Sequence, residues 1–226
     1  MILLTAILLG LLSGMVRAEL GKRHYRVLEV RKPGFVILAF LAQFVIFQLP
    51  HAGITVQDYW VSLILVVGQI LLLVFTLLNW KRPGFFLLAL GTGLNLAVLV
   101  FNNGLMPMKP DTITDLYPNV PTSSWSVGDR LWNSKNIVLT EELTRLSFLS
   151  DRFIIPEWVP YRVAFSLGDV ILAAGAFWLF WSLGGKPKHY KEIKNGQMEY
   201  TNPALRKDWG KPYRKGIQPD PYRRGH

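Results

Sequence analysis

The apolar residues of this chain are concentrated in five runs, which are separated by polar segments. The runs cover residues 2–16, 34–49, 59–79, 84–101 and 161–183. They do not alternate apolar and polar positions as the strands of a membrane barrel do. The third and fifth runs have the length of roughly 20 residues that a bilayer core requires. Since helices satisfy their own backbone polar groups in lipid, the pattern predicts an all-α protein, a polytopic bundle of about five membrane spans.

The apolar runs and their flanks define a predicted membrane domain over residues 1–183. Its spans are expected near 1–17, 34–50, 59–79, 84–104 and 161–183, with a long outer loop over residues 105–160. Residues 184–226 are polar, basic and rich in proline and glycine. This composition cannot bury enough apolar surface to form a core, so a mostly disordered tail is predicted.

The basic residues are distributed unevenly between the polar segments. Residues 17–33 carry six Lys or Arg and the tail carries eleven, whereas residues 51–58 carry none and the five in residues 106–160 are balanced by seven acids. By the positive-inside rule the N-terminus and the long loop lie outside and the tail lies in the cytoplasm. The tail is expected to contact the anionic inner leaflet. Nucleic-acid binding is not expected, because no motif frames the basic residues.

The first apolar run leaves an alternative open. Val16-Arg17-Ala18 fits a small-x-small cleavage site of a secretory signal. However, no Lys or Arg precedes the run and a basic cluster follows it, which is the reverse of a signal peptide's charge order. A retained helix is therefore the favoured interpretation.

The sequence offers no cofactor site. It contains no cysteine, which excludes disulfides and thiolate metal sites. None of its four histidines lies deep in a predicted span, so a haem held by two membrane histidines is not expected. No metal site and no cofactor are predicted.

The long loop contains one segment with helical spacing. Its apolar positions are Leu139, Leu143, Leu146, Leu149 and Phe153. Thr140 is a plausible N-cap, so a helix is predicted over residues 141–150. Whether this helix lies on the membrane surface or packs on the bundle stays open.

One carboxylate lies inside a predicted span, and this is Asp169 in the fifth. It is seven residues beyond Arg162, about 10 Å inward at 1.5 Å per residue. Small residues accompany it on one helix face, which predicts that it faces the bundle. Asn95, Asn102 and Asn103 lie toward the same side of the membrane, and we expect them to meet Asp169 there.

Three interpretations of Asp169 follow from these residues. It contacts a ligand in an outward-facing polar pocket, or it clasps neighbouring helices through hydrogen bonds. Ser166-Leu-Gly-Asp169 is also similar to the motif of intramembrane aspartyl proteases. That mechanism requires two carboxylates that share a proton, and no second acid lies in a span, so no enzyme is predicted.

Several motifs together resemble a known family. They are Asn103-Gly104-x-Met106-Pro107, the run from Thr144 to Asp151, and Ser166-x-Gly168-Asp169. Over residues 1–183 the chain resembles a bacterial family of multi-span membrane proteins catalogued as a domain of unknown function (five-three-one-seven). The resemblance implies a plasma-membrane topology and no activity. It also implies that Arg145 and Asp151 of the loop belong with the last span.

The predicted function is a non-enzymatic binding or accessory role in a bacterial plasma membrane. Its ligand is an unidentified small molecule or a membrane protein partner, and its site lies at the outer mouth of the bundle. The predicted site residues are Asn95, Asn102, Asn103, Arg145, Asp151 and Asp169. The alternatives are a small-solute or cation-coupled transporter that uses Asp169, and a structural subunit of a larger membrane complex.

Overall fold

The computed structural model describes residues 2–48, 56–159 and 161–185, with the backbone of 190–192 and 198–200. Over these residues the chain is mostly helical, as predicted. The α-helices are α1 (Ile2–Leu20), α2 (Gly34–Gln48), α3 (Asp58–Leu78), α4 (Phe85–Phe101), α5 (Pro110–Leu116) and α6 (Leu167–Leu183). Helices α1 and α3 are long and apolar enough to cross a membrane, while α2, α4 and α6 are shorter apolar helices.

The five apolar helices pack in an order that differs from their order in the chain. The main contacts join α1 to α6, α6 to α4, α4 to α3, and α3 to α2. Glycines allow the backbones of α4 and α6 to approach closely. A Cβ at Gly91 would lie 2.7 Å from the carbonyl oxygen of Gly168, and one at Gly175 would lie 2.8 Å from the amide nitrogen of Leu88. This small-residue contact fixes α4 beside α6.

The long loop is folded, and we call residues 105–166 the cap. Strands β1 (Met106–Met108) and β2 (Asn136–Val138) pair in parallel, and β3 (Phe153–Ile154) pairs antiparallel with β4 (Ala164–Phe165). The cap has its own apolar cluster, formed by Met108, Ile113, Leu116, Leu131, Val138 and Ala164. Because strand pairs and α5 hold the cap, its polar side chains have fixed positions relative to α4 and α6.

Helices α4 and α6 differ from the predicted spans at their cap ends. The fourth span was expected to reach residue 104; α4 ends at Phe101, and Asn103 and Gly104 after it have left-handed backbones with φ of 57° and 81°. The fifth was expected to begin at residue 161, but α6 begins at Leu167. Its first expected residues instead form β4, which pairs with β3. Helix α6 is therefore shorter than its apolar run, and the segment between α4 and α6 is longer than the loop predicted over residues 105–160.

The helix predicted over residues 141–150 is also wrong. This segment consists of turns and one short 3₁₀ helix, Ser147–Leu149. Leu146 has a left-handed backbone (φ 55°), which ends any helical continuation. The backbone of Arg145 is hydrogen-bonded to the side chain of Asn102 instead of to its own turn. These tertiary hydrogen bonds thus replace the helix that the local apolar spacing predicts.

The chain divides into two units, Met1–Gly185 and Lys186–His226. In the second unit the described residues are β5 (Tyr190–Glu192) and β6 (Met198–Tyr200), an antiparallel pair in which Tyr190 faces Tyr200. Apart from this pair, the predicted disorder of the tail lies outside the residues that the structure describes.

Candidate functional site

Asp169 is placed at the start of α6 rather than deep within it. Ser166 is the N-cap, and its hydroxyl oxygen accepts a hydrogen bond from the Asp169 amide at 3.1 Å. The Asp169 carboxylate accepts one in return from the Ser166 amide, also at 3.1 Å. This reciprocal pair is a capping box, which satisfies two amides that a helix start leaves without partners. The prediction that Asp169 lies about two turns inside a helix is therefore wrong.

The same carboxylate joins α6 to α4. Asn95 donates from Nδ2 to Oδ1 of Asp169 at 2.9 Å, and its Oδ1 accepts a hydrogen bond from the Ser166 hydroxyl at 2.9 Å. Ser166 is fully buried and Asn95 is nearly so. Gly168 leaves room for this amide, because a Cβ there would collide with the Asn95 oxygen. Asn95 and Asp169 thus meet as predicted, in a closed set of hydrogen bonds.

Asp151 forms a second polar group in the cap. Its carboxylate is 1% exposed. Oδ2 lies 3.1 Å from Nζ of Lys135 and accepts a hydrogen bond from Nδ2 of Asn136 at 2.9 Å. Oδ1 is buried and has no partner among the described residues. A buried carboxylate with one unsatisfied oxygen is unfavourable in its charged form.

The protonation equilibria of this pair follow from its surroundings. Burial raises the pKa of the Asp151 carboxyl, and the charges of Lys135 and the bond from Asn136 oppose this without cancelling it. Burial lowers the pKa of the Lys135 ammonium, but attraction to Asp151 and Asp169 outweighs it, so the pKa is raised. Lys135 therefore stays a cation, and its field reaches both carboxylates.

A cavity of about 220 Å³ lies between Lys135 and Asp169. Its other walls are apolar and come from α1, β4 and α6: Ile2, Leu3, Val163, Ala164, Phe165 and Leu172. Two side chains of opposite charge therefore border a small, otherwise apolar space. Lys135 has ammonium hydrogens beyond the one directed at Asp151, and the Asp169 oxygens have lone pairs beyond those already used. The cavity is able to bind a small molecule that has both polar and apolar parts.

The remaining predicted residues lie elsewhere. Asn102 ends α4 and donates from Nδ2 to the carbonyl oxygens of Val98 and Arg145, and its Oδ1 accepts from the Arg145 amide at 2.9 Å. This is a structural link between α4 and the cap. The Arg145 side chain is exposed, and Asn103 is an exposed turn residue with φ 57°. The six predicted residues therefore do not converge on one cavity.

Three residues of the site were not among the predicted ones: Lys135, Asn136 and Ser166. Ser166 and Asp169 have the spacing of a capping box, with Asp in place of the usual Glu, and this signal could have located the helix start. Nothing local distinguishes Lys135 or Asn136 from other polar loop residues. They meet Asp151 through β1, which pairs with β2 on one side and forms a bridge from Met108 to Asp151 on the other.

No metal centre is evident, since the described residues contain no group of three or more His, Cys, Asp or Glu that could hold an ion. No curated protein and no solved structure matches the chain. A family model does match, and it covers residues 27–181 with both polar groups described above. The chain belongs to the Family of unknown function (DUF5317).

Proposed function

We propose that this protein is a multi-pass membrane protein of a bacterial plasma membrane, with a non-enzymatic binding role. The observation that carries the proposal is the cavity between Lys135 and Asp169 at one end of an apolar helix layer. The N-terminus and the cap lie outside, and the tail lies in the cytoplasm. The ligand is a small molecule with donor and acceptor groups for the two charged residues and an apolar portion for the other walls.

The exposure of the apolar helices supports a membrane location. Only 17% of the apolar window of α1 and 22% of that of α3 are buried, whereas the core helix of a soluble protein is mostly buried. Large side chains on the open faces include Leu12 at 61%, Phe40 at 69% and Phe86 at 63% exposure. A soluble monomer rarely exposes contiguous apolar surface on this scale.

The charge distribution supports the orientation. The segment after α1 and the link between α3 and α4 meet at the end of the layer away from the cap, where Asn79 holds the backbone of Arg31 through two hydrogen bonds. Lys81 and Arg82 follow in the same link. Two basic segments at one end match the cytoplasmic side of the positive-inside rule. Helix α1 packs along α6 through Gly10 and Gly14, which supports its retention as a span.

The orientation is tested by cysteine labelling, because the natural chain has no cysteine. Ser124→Cys places a thiol in the cap, and Arg23→Cys places one in the basic segment after α1; both positions are exposed. A membrane-impermeant maleimide added to intact cells is expected to label Ser124→Cys alone, and to label Arg23→Cys after lysis. The reverse pattern would overturn the orientation, and labelled protein in the soluble fraction would overturn the membrane location.

The binding role is tested by thermal unfolding of the purified protein with amino acids, short alkylamines, short carboxylic acids and alcohols. At least one class is expected to raise the Tm, because binding to the native state stabilises it. Asp169→Asn is expected to lower the apparent affinity for that class about tenfold, which corresponds to about 1.4 kcal/mol of binding free energy. The Tm shift at a given concentration is therefore smaller. The amide oxygen can still accept from Asn95, but the variant loses the second oxygen that accepts from the Ser166 amide, so the shift is measured from the variant's own Tm without ligand. Asp115→Asn, on an exposed cap residue, is the matched control and leaves the shift unchanged.

Two results would contradict a simple binding role. If no class shifts the Tm of a folded, membrane-inserted protein, the structural-subunit alternative is favoured. If a stabilising solute crosses proteoliposomes that contain the protein and not those that contain Asp169→Asn, the transporter alternative is favoured. An aspartyl protease is not proposed, since the Lys135 ammonium binds Asp151 and attracts Asp169, which disfavours a proton shared between the two carboxylates.

A further inference from the structure

A second cavity, of about 430 Å³, lies at the opposite end of α6. It is formed by the segment after α1, the link before α4 and the last turns of α6: Arg26, Val27, Leu28, Glu29, Arg82, Pro83, Leu179, Ser182 and Leu183. Its lining residues on α6 begin at Leu179, ten residues beyond Asp169, so it lies about 15–20 Å along the helix from that carboxylate at 1.5 Å per residue. It is therefore separate from the cavity at Lys135.

Arg26 is held rigidly beside this cavity by the C-terminus of α6. Its Nε donates to the carbonyl oxygen of Leu183 at 3.2 Å, and its Nη2 donates to that of Ser182 at 2.5 Å. These carbonyls belong to the last turn of α6, where few backbone donors remain, and they also accept from the amides of Gly185 and Arg26. The hydroxyl of the neighbouring Tyr25 donates to Phe180 O at 2.8 Å. Among the described residues, Nη1 of Arg26 has no acceptor. Because the bonds from Nε and Nη2 fix the side chain, the two N–H groups of Nη1 are held in one orientation and can bind a ligand.

Arg82 contributes a second guanidinium to the same cavity. Among the described residues no acceptor pairs with its side chain, so all its donors are available for a ligand. Glu29 is the one acidic residue in the lining, and with the two arginines it gives a net charge of +1. Guanidinium groups bind phosphate oxygens with matching planar geometry. The charge balance favours a phosphodiester ligand with one net negative charge.

The apolar part of the lining indicates that the ligand is amphipathic. Val27 is 86% exposed, and Leu28, Pro83 and Leu179 continue the apolar surface around the arginines. Trp80, two residues before Arg82, is 60% exposed, as tryptophans at a membrane interface are. A free phosphate ion would leave this apolar surface in water, whereas a phospholipid would cover it.

We propose that this cavity binds the headgroup phosphate of an anionic phospholipid of the inner leaflet, with Arg26 and Arg82 as its ligands. The inference rests on the membrane location and orientation proposed above. Basic pockets between helices at the cytoplasmic interface are suited to such headgroups. Arg26 also bonds the end of α6, so an occupied site links the lipid to the helix that carries Asp169.

The test uses the full-length protein, purified in detergent and mixed with defined phospholipids. Native mass spectrometry measures the bound fraction of phosphatidylglycerol, of zwitterionic phosphatidylethanolamine and, separately, of soluble glycerol phosphate. Arg82→Gln is the primary variant, because this side chain makes no hydrogen bond or ion pair with the described residues. Lys81→Gln, on the adjacent exposed cation, is the matched control. Phosphatidylglycerol retention is expected to fall about tenfold in Arg82→Gln and to stay within about twofold of the natural protein in Lys81→Gln.

Equal losses in the two variants would overturn the inference, because they would show general charge attraction and no specific site. Glycerol phosphate bound as strongly as the lipid would overturn the lipid as the ligand. Equal retention of phosphatidylethanolamine would overturn the preference for a net negative charge. A protein that inserts with the proposed orientation and shows no selective retention refutes this inference alone, whereas failure of the cysteine labelling pattern refutes the membrane proposal.

Discussion

Lys135→Met is expected to lower the free energy of unfolding by about 2–3 kcal/mol at pH 8. Removing one partner of a buried ion pair costs roughly 3–5 kcal/mol, since the other charge is left without compensation. We expect the smaller loss of about 2–3 kcal/mol because water screens part of the pair: the Lys135 side chain is 40% exposed, while that of Asp151 is 1% exposed. Methionine retains most of the volume of the lysine stem, so the loss reports the charge. Denaturant unfolding of the purified protein measures it.

The same variant has a defined pH dependence. Burial raises the pKa of Asp151 in the folded protein above its unfolded value, so its contribution to stability is fullest below the unfolded pKa and declines as the pH rises through the folded pKa. Without the Lys135 charge the pKa of Asp151 in the folded protein rises further. The free energy of unfolding therefore continues to decline up to a higher pH. The deficit of Lys135→Met relative to the natural protein is therefore expected to be smaller at pH 5 than at pH 8.

Two further variants make this prediction specific. Lys109→Met removes a lysine of the cap whose partner, Glu141, is exposed to solvent, and it should change stability much less than Lys135→Met does, because water screens the pair. Lys135→Met combined with Asp151→Asn should recover most of the loss, because no buried charge remains and Asn136 can still donate to the amide oxygen. Equal effects of the two lysine variants, or no recovery in the double variant, would refute the buried pair.

Asn95→Leu is expected to destabilise the protein by about 3 kcal/mol. The variant removes one hydrogen bond to a carboxylate and one to a hydroxyl, worth about 1.5–3 and about 1 kcal/mol. It leaves the hydrogen of the fully buried Ser166 hydroxyl without an acceptor and Oδ1 of Asp169 without its donor, although the Ser166 oxygen still accepts from the Asp169 amide. The branched leucine also presses on Gly168, which already contacts the Asn95 side chain. Thermal or denaturant unfolding in detergent measures the change.

The matched control is Asn119→Leu, the same substitution on an exposed residue of the cap. Surface changes of this kind alter stability by about 0.5 kcal/mol or less. If both variants unfold alike, the hydrogen bonds between α4 and α6 do not contribute. Asn95→Leu alone is expected to lose stability. If its Tm without ligand is lower but the ligand still raises that Tm by the same amount, Asn95 supports the site structurally and the ligand contacts Asp169 directly.

The structure answers part of the question that Asp169 raises in the sequence. The clasp interpretation is correct in that Asn95 and Ser166 bind the carboxylate. The ligand interpretation is compatible with it, since the same carboxylate borders a cavity. A carboxylate has lone pairs for several donors, so the two hydrogen bonds that it accepts from Asn95 and Ser166 do not exhaust it. This is why the binding test uses asparagine, which keeps an acceptor for Asn95, and not leucine, which keeps none.

The sequence by itself determined where the apolar helices lie, because their composition and length are local properties. Four of the five apolar runs begin within a residue or so of a helix start, and Asn95 and Asp169 were correctly expected to meet. The first turn of α6 was also encoded locally, in the spacing of Ser166 and Asp169. The uneven distribution of basic residues likewise required no structure to detect.

Only the tertiary structure decided which polar residues share a site. Lys135 reaches Asp151 because β1 pairs with β2 and also bridges to Asp151. Arg26 reaches the end of α6 because α1 packs against that helix. The expected helix over residues 141–150 does not form, since Asn102 binds the backbone at Arg145. Apolar spacing indicates a local preference for helix, which is worth about 1 kcal/mol over a short segment. Buried polar groups, in contrast, must find hydrogen-bond partners. Those partners are distant in sequence, so the fold alone selects them.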